Sequence, residues 1–214
     1  MFIGHYAIGF AGKKVDRTHS LGTMFMAVQW LDLVWPVLSL LGIERFAIEP
    51  GNTVLTPLNF EYYPWSHSML MALVWGLLFA AVYYSFKRNR RAALLLCFLV
   101  FSHWILDWIT HRADLQLTPF SETRTGLGLW NYRWLETAIE TLLFAVGVYS
   151  YITITKARNK TGNWSLWILL LLLIVIHFAN IFGPPPPNEK AVAWSALLQW
   201  LFVGWGYWIE RNRQ

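Results

Sequence analysis

The sequence predicts an all-α, polytopic membrane protein, and three observations carry that prediction. Of its 214 residues 56% are hydrophobic and only 14% charged, a balance outside the range of soluble domains of this size. Apolar runs of about twenty residues, the length that crosses ~30 Å of hydrocarbon, recur along the chain. Fourteen tryptophans, many near the ends of these runs, match the aromatic belts found where headgroups meet acyl chains.

In chain order, residues 1 to 12, MFIGHYAIGFAG, are apolar but about half the length needed to span, and no signal-peptide cleavage pattern follows them. Such a piece either lies on the membrane surface or re-enters the bundle as a half-helix. Gly4, Gly9 and Gly12 would permit the close packing that re-entry requires, and re-entry would bring His5 inside. About six spans follow, near 20 to 43, 65 to 86, 92 to 111, 134 to 155, 165 to 183 and 192 to 209. Pro36 should kink the first one turn beyond Asp32, and the prolines at 184 to 187 end the fifth. No internal repeat, soluble domain or discontinuous helix is visible.

The links between spans alternate in charge. Lys13, Lys14 and Arg17, then Lys87, Arg88, Arg90 and Arg91, then Lys156, Arg158 and Lys160, and finally Arg211 and Arg213 fall on one side. By the positive-inside rule that side is cytoplasmic and holds both termini. The net charge of +5 is thus spent on orientation, and a nucleic-acid partner is rejected. The opposite links, 44 to 64 and 112 to 133, are longer and rich in Pro, Gly, Thr and aromatics, which suggests a lid or mouth. Cys97 is the single cysteine and sits in an apolar run, so no intrachain disulfide forms and packing is its expected role.

Ionisable groups inside hydrocarbon are costly, so those present are functional candidates. His103, Asp107 and His111 recur every four residues in SHWILDWITH. At 1.5 Å of rise per residue from the cytoplasmic ends, Asp32, His103 and Asp107 lie at roughly 16 to 22 Å, and His67, Glu136 and Glu140 at roughly 21 to 27 Å. All share the outer half of the bilayer. His and carboxylate together suit Zn²⁺ or another divalent first-row ion, and an i, i+4 pair such as His103 and Asp107 can chelate from one helical face. His111 stands about 12 Å along and roughly 80° around from His103, so it is expected at the mouth as a proton shuttle. Glu140, deeper than Glu136, is expected as a ligand or general base. Ser66 or Ser68 could hold the ring of His67 through a second hydrogen bond. The expected metal set is therefore His67, His103, Asp107 and Asp32, with His5 added if the N-terminus re-enters, and the expected ion is Zn, with Mn and Fe as alternatives.

Structural readings stand beside these. His177 fits a hydrogen bond to a neighbouring helix, and His19 an interface residue beside a helix start with Thr18 or Ser20 as cap. Glu136 could pair with Arg133, and Asp32 with Gln29 or a tryptophan N–H. His103 and Asp107 could belong to a polar network without metal.

The motifs GHYAIGF, QWLDLVWP, WSHS and SHWILDWITH followed by LTPF resemble the YdjM-like family of predicted membrane-bound metal-dependent hydrolases, over roughly residues 1 to 145. The resemblance implies a bacterial inner-membrane helical protein with a divalent-metal site at His5, Asp32, His67, His103 and Asp107. The order His, Asp, His, HxxxD and a later acid is also loosely similar to zinc-dependent phospholipase C enzymes, with ExxxE at 136 to 140 in place of a later HxxxE. One departure from the family pattern is the single acid at Asp32, where two closely spaced acids are expected. The functional expectation is a membrane-embedded hydrolase acting on a lipid-like or phosphoester substrate from the outer leaflet. The alternatives are a non-catalytic accessory subunit packed against other membrane subunits, or a proton-coupled transporter. In each case membrane lipids are the surroundings.

Overall fold

A computed structural model describes residues 1–214. The chain folds into ten helices, two small β-hairpins and one 3-10 turn at Leu129–Asn131. The N-terminal segment is a helix, α1 (Ile3–Val15), and it re-enters: Ile3, Tyr6, Ala7 and Phe10 are fully buried. At ~1.5 Å per residue its 13 residues are too short to cross the bilayer.

The first expected span is a bent pair, α2 (Leu21–Val28) and α3 (Trp30–Leu40), with a 54° angle between them. Ser20 caps α2 by accepting the amide of Thr23. The break falls at Gln29, seven residues before Pro36, and α3 runs on through the proline. Packing explains the difference, because α2 lies against α1 and α10 (Gln199–Asn212) while α3 lies against α9 (Glu189–Leu197). The bend places Asp32 in the first turn of a new helix.

Two residues, Arg88 and Asn89, join α5 (Met69–Lys87) to α6 (Arg90–Thr110) in a tight antiparallel hairpin. Arg88 takes the left-handed conformation, φ 54°, that ends α5, and Asn89 caps α6. Outward on α5 stand Leu73, Leu77 and Leu78, an apolar surface suited to lipid tails. After α7 (Arg133–Ile152) and α8 (Lys160–Phe182), the sixth expected span appears as two helices, α9 and α10, parted at Leu198. Four helices, α5 to α8, are long and apolar enough to cross a membrane, or five if α2 and α3 form one span. The sixth span is thus corrected to two short halves, each following one half of the bent pair: α10 on α2 and α9 on α3.

At one end, backbone bonds between Lys156 and Gln214 tie the α7–α8 link to the C-terminal residues, and Lys13 pairs with Glu210 at 2.7 Å. The basic segments therefore share one end. The other end carries a cap built from β1 (Arg45–Ile48) paired antiparallel with β2 (Leu58–Tyr62), a short helix α4 (Pro64–His67), and β3 (Leu115–Gln116) paired with β4 (Arg124–Thr125). Under it Trp35, Phe46, Phe60, Tyr63 and Trp130 pack as an aromatic layer.

Candidate metal centre

Five side chains from four elements meet beneath the cap. His103 and Asp107 leave the same face of α6, with Nε2 of the first 3.0 Å from Oδ2 of the second. The bend at Gln29 turns Asp32 toward them, 3.7 Å from His103 Nε2 and 3.4 Å from His67 Nε2. The turn at α4 points His67 Nε2 to within 3.7 Å of Asp107 Oδ2. From the first turn of α1, His5 Nε2 reaches Asp107 Oδ1 at 3.1 Å. Four of the five are buried and Asp32 is half-buried.

The imidazoles are prepared as metal ligands in two of the three cases. A carbonyl can only accept, so His103 Nδ1 donates to the Val28 carbonyl at 2.7 Å, leaving Nε2 bare. That Nε2 is buried with no hydrogen-bond partner in spite of its closeness to Asp107, as expected of a lone pair aimed at a shared point. For His67, the Ser66 hydroxyl donates to Glu44 at 2.6 Å and so accepts from His67 Nδ1 at 2.7 Å. Glu44 is itself buried, and that burial pushes its carboxyl upward against the pull of two hydrogen bonds from Ser66.

The distances and charges fit a divalent ion. Ligands ~2.0–2.2 Å from a tetrahedral metal stand about 3.3–3.6 Å apart, and the separations here run from 3.0 to 3.7 Å. Asp32 has only histidine partners, and the one non-histidine cation on Asp107 is the Met1 ammonium at Oδ1, which leaves Oδ2 to the histidines. Buried carboxylates of this kind need a compensating cation, which a metal supplies. The Met1 amino group lies 2.9 Å from Asp107 Oδ1.

Asp32, His67 and Asp107 form part of the wall of a cavity of about 860 Å³, which His111, Arg133 and Glu140 also line. His111 belongs to the cap rather than the metal cluster. Its Nδ1 is 3.0 Å from Asp114, which also accepts a 2.7 Å bond from the Tyr63 hydroxyl, and its ring packs on Trp130. Burial beside the Asp114 carboxylate pushes the Tyr63 hydroxyl well above its ordinary range, so it stays a donor. Glu140 sits at the head of α1, where Oε1 accepts the amides of Phe2 at 2.5 Å and Gly4 at 2.9 Å. A carboxylate there satisfies free helical amides and complements the positive end of the helix dipole.

The remaining polar residues divide as follows. His177 Nδ1 is 3.7 Å from Glu140 Oε2. Arg133 donates to the Val54 carbonyl at 2.6 Å and makes no ion pair with Glu136, whose two oxygens are buried without partners. His19 is buried and bonds the Ala92 carbonyl of α6 at 3.2 Å. Sequence reasoning missed Glu44, Tyr63, Asp114 and the Val28 carbonyl. For Asp114 the i, i+3 spacing from His111 was a readable signal.

A family model described as the YdjM inner membrane protein matches residues 64–182. That match takes in α4 to α8, with His67, His103, Asp107, His111 and Glu140, and leaves His5 and Asp32 outside it. No curated protein and no solved structure matches the chain. The chain belongs to the YdjM inner membrane protein family.

Proposed function

We propose that this YdjM-family membrane protein is a divalent-metal-dependent hydrolase acting on a phosphoester or similar ester of a lipid-like molecule. The observation that carries the proposal is the convergence of His5, Asp32, His67, His103 and Asp107 beside a cavity large enough for a headgroup. A divalent ion, Zn²⁺ foremost, would be held by these residues and would supply Lewis-acid activation of water and of a phosphoryl or acyl oxygen.

The chain's own groups have separable parts in this scheme. His111 accepts and returns a proton at Nε2, because Asp114 takes the Nδ1 proton and fixes the ring. Arg133, at the cavity wall, offers positive charge to an anionic headgroup, its Nε buried without a partner. Glu140 holds the first turn of α1 and so positions His5. The aromatic layer of Trp35, Phe60 and Trp130 limits water around the reacting ester.

The experiment is phosphate or headgroup release from vesicles of phospholipid and phosphatidic acid by the metal-loaded protein. Turnover that chelation abolishes supports the proposal. In the His111→Asn variant kcat should fall about 10²–10⁴-fold with metal content unchanged. No release from any of these lipids by protein of proven metal content would contradict it.

One observation favours a second reading, cation-coupled transport. The broken pairs α2–α3 and α9–α10 pack on one another beside the polar cluster, and discontinuous helices at a midplane site are a feature of transporters. Metal-dependent uptake into sealed proteoliposomes, without hydrolysis, would move this reading ahead.

A further inference from the structure

The rings of His5 and His103 are stacked and parallel, with centroids 3.6 Å apart and planes within 2°. Their Nε2 atoms face different oxygens of one carboxylate: His5 to Oδ1 at 3.1 Å and His103 to Oδ2 at 3.0 Å. An imidazole nitrogen ligates along its lone pair, in the plane of the ring. An ion shared by both rings would sit midway, about 1.8 Å out of each plane, and at a bond length of ~2.0–2.1 Å that is about 60° off the lone pair. Parallel stacked imidazoles therefore cannot both ligate one ion well.

We infer that the centre holds two divalent cations, bridged by Asp107, with His103 serving one and His5 the other. This rests on the metal-centre reading above and deepens it. The first ion takes Asp32, His67 and His103, whose ligand atoms lie within 4.8 Å of one another, with Asp107 Oδ2 as a fourth donor 3.0 Å from His103 and 3.7 Å from His67. The second takes His5 and Asp107 Oδ1, two protein donors only. Asp32 and His67 line the cavity, so a phosphoryl oxygen would approach from the side of the first ion, whereas His5 is buried away from the cavity wall.

The second ion is the weaker of the two for three reasons on the same residues. It has two protein donors against four. His5 Nδ1 is buried without a partner, whereas Nδ1 of His67 and His103 are both tied. The Met1 amino group also competes for Asp107 Oδ1. The positive end of the α1 dipole would oppose a cation at His5, and the Glu140 carboxylate on the Phe2 and Gly4 amides offsets that field.

The test is a Mn²⁺ titration of metal-stripped, detergent-purified full-length protein, read by metal stoichiometry and by electron paramagnetic resonance. Two ions per chain, the second bound more weakly, are expected, with the exchange-coupled spectrum of a carboxylate-bridged pair appearing as the second site fills. The His5→Ala variant should bind one ion, with an uncoupled spectrum. One ion per chain at saturation in the unmodified protein overturns this inference and leaves the hydrolase proposal standing. Two coupled ions retained in His5→Ala also overturn it. No bound Mn²⁺ in any form removes both. The spectrum of the unmodified protein decides the matter even if the variant fails to fold.

Discussion

At the scale of the residue, the proposed metal ligands depend on partners that never face the cavity. Glu44 holds Ser66, Ser66 accepts from His67, and His67 is thereby left with its lone pair on Nε2. Losing such a partner typically weakens metal affinity 10–100-fold. Ser66→Ala should therefore raise the dissociation constant by roughly that factor, measured by competition with a chelator, while His103 and its Val28 bond stay as they are. An unchanged constant would show that Ser66 has no part in setting the His67 ring. The ligands themselves were legible in the sequence, because charged or titratable residues in apolar runs have few structural excuses. Ser66 was legible beside His67 in WSHS, but the partners further away were not: Glu44 lies 22 residues from Ser66, on another element, and no spacing rule connects them.

At the scale of the element, α1 and the bend at Gln29 decide what the cluster contains. α1 lies along α7 so closely that a Cβ at Gly147 would collide with the Ala7 backbone. Gly147→Val should displace α1, lower stability by about 1–3 kcal/mol as overpacking does, and lower the affinity for the ion that His5 serves. Thermal unfolding and metal titration together check this, and a variant with unchanged melting and unchanged titration would contradict it. At the head of α1, Glu140→Ala removes the acceptor of the Phe2 and Gly4 amides and should cost about 0.5–2 kcal/mol, as loss of a helix cap does. The sequence showed α1 to be short and apolar, which left surface and re-entry both open. It did not show the breaks at Gln29 and Leu198. Pro36 was the visible kink signal, but packing of α2 on α10 and α3 on α9 moved the bend elsewhere.

At the scale of the whole molecule, charge and site lie at opposite ends. The basic links gather where Lys13 meets Glu210 and Lys156 meets Gln214, and the cap with His111 and Asp114 closes the other end. The positive-inside rule predicts that the cap faces away from the cytoplasm. In a Cys97→Ser background, a cysteine placed at Asn52 should react with a membrane-impermeant thiol reagent in intact spheroplasts, and one placed at Arg88 only after permeabilisation. The reverse pattern would put the cavity on the cytoplasmic side and change the pool of substrates. Four strong spans were readable from hydropathy alone, since α5 to α8 are continuous and apolar. The sixth was not, because a run of apolar residues does not reveal that its two halves follow different partners.

Everything proposed for the cavity depends on whether the five convergent side chains hold a metal. The direct measurement is metal content per chain, by inductively coupled plasma mass spectrometry, on protein purified in detergent without added metal. The His103→Ala, Asp107→Ala double variant is measured beside it. The account predicts at least near-stoichiometric Zn, Mn or Fe in the unmodified protein and its loss in the variant. Equal metal in both, or none in either after reconstitution with divalent ions, would contradict it and leave the same residues as a polar network within the membrane.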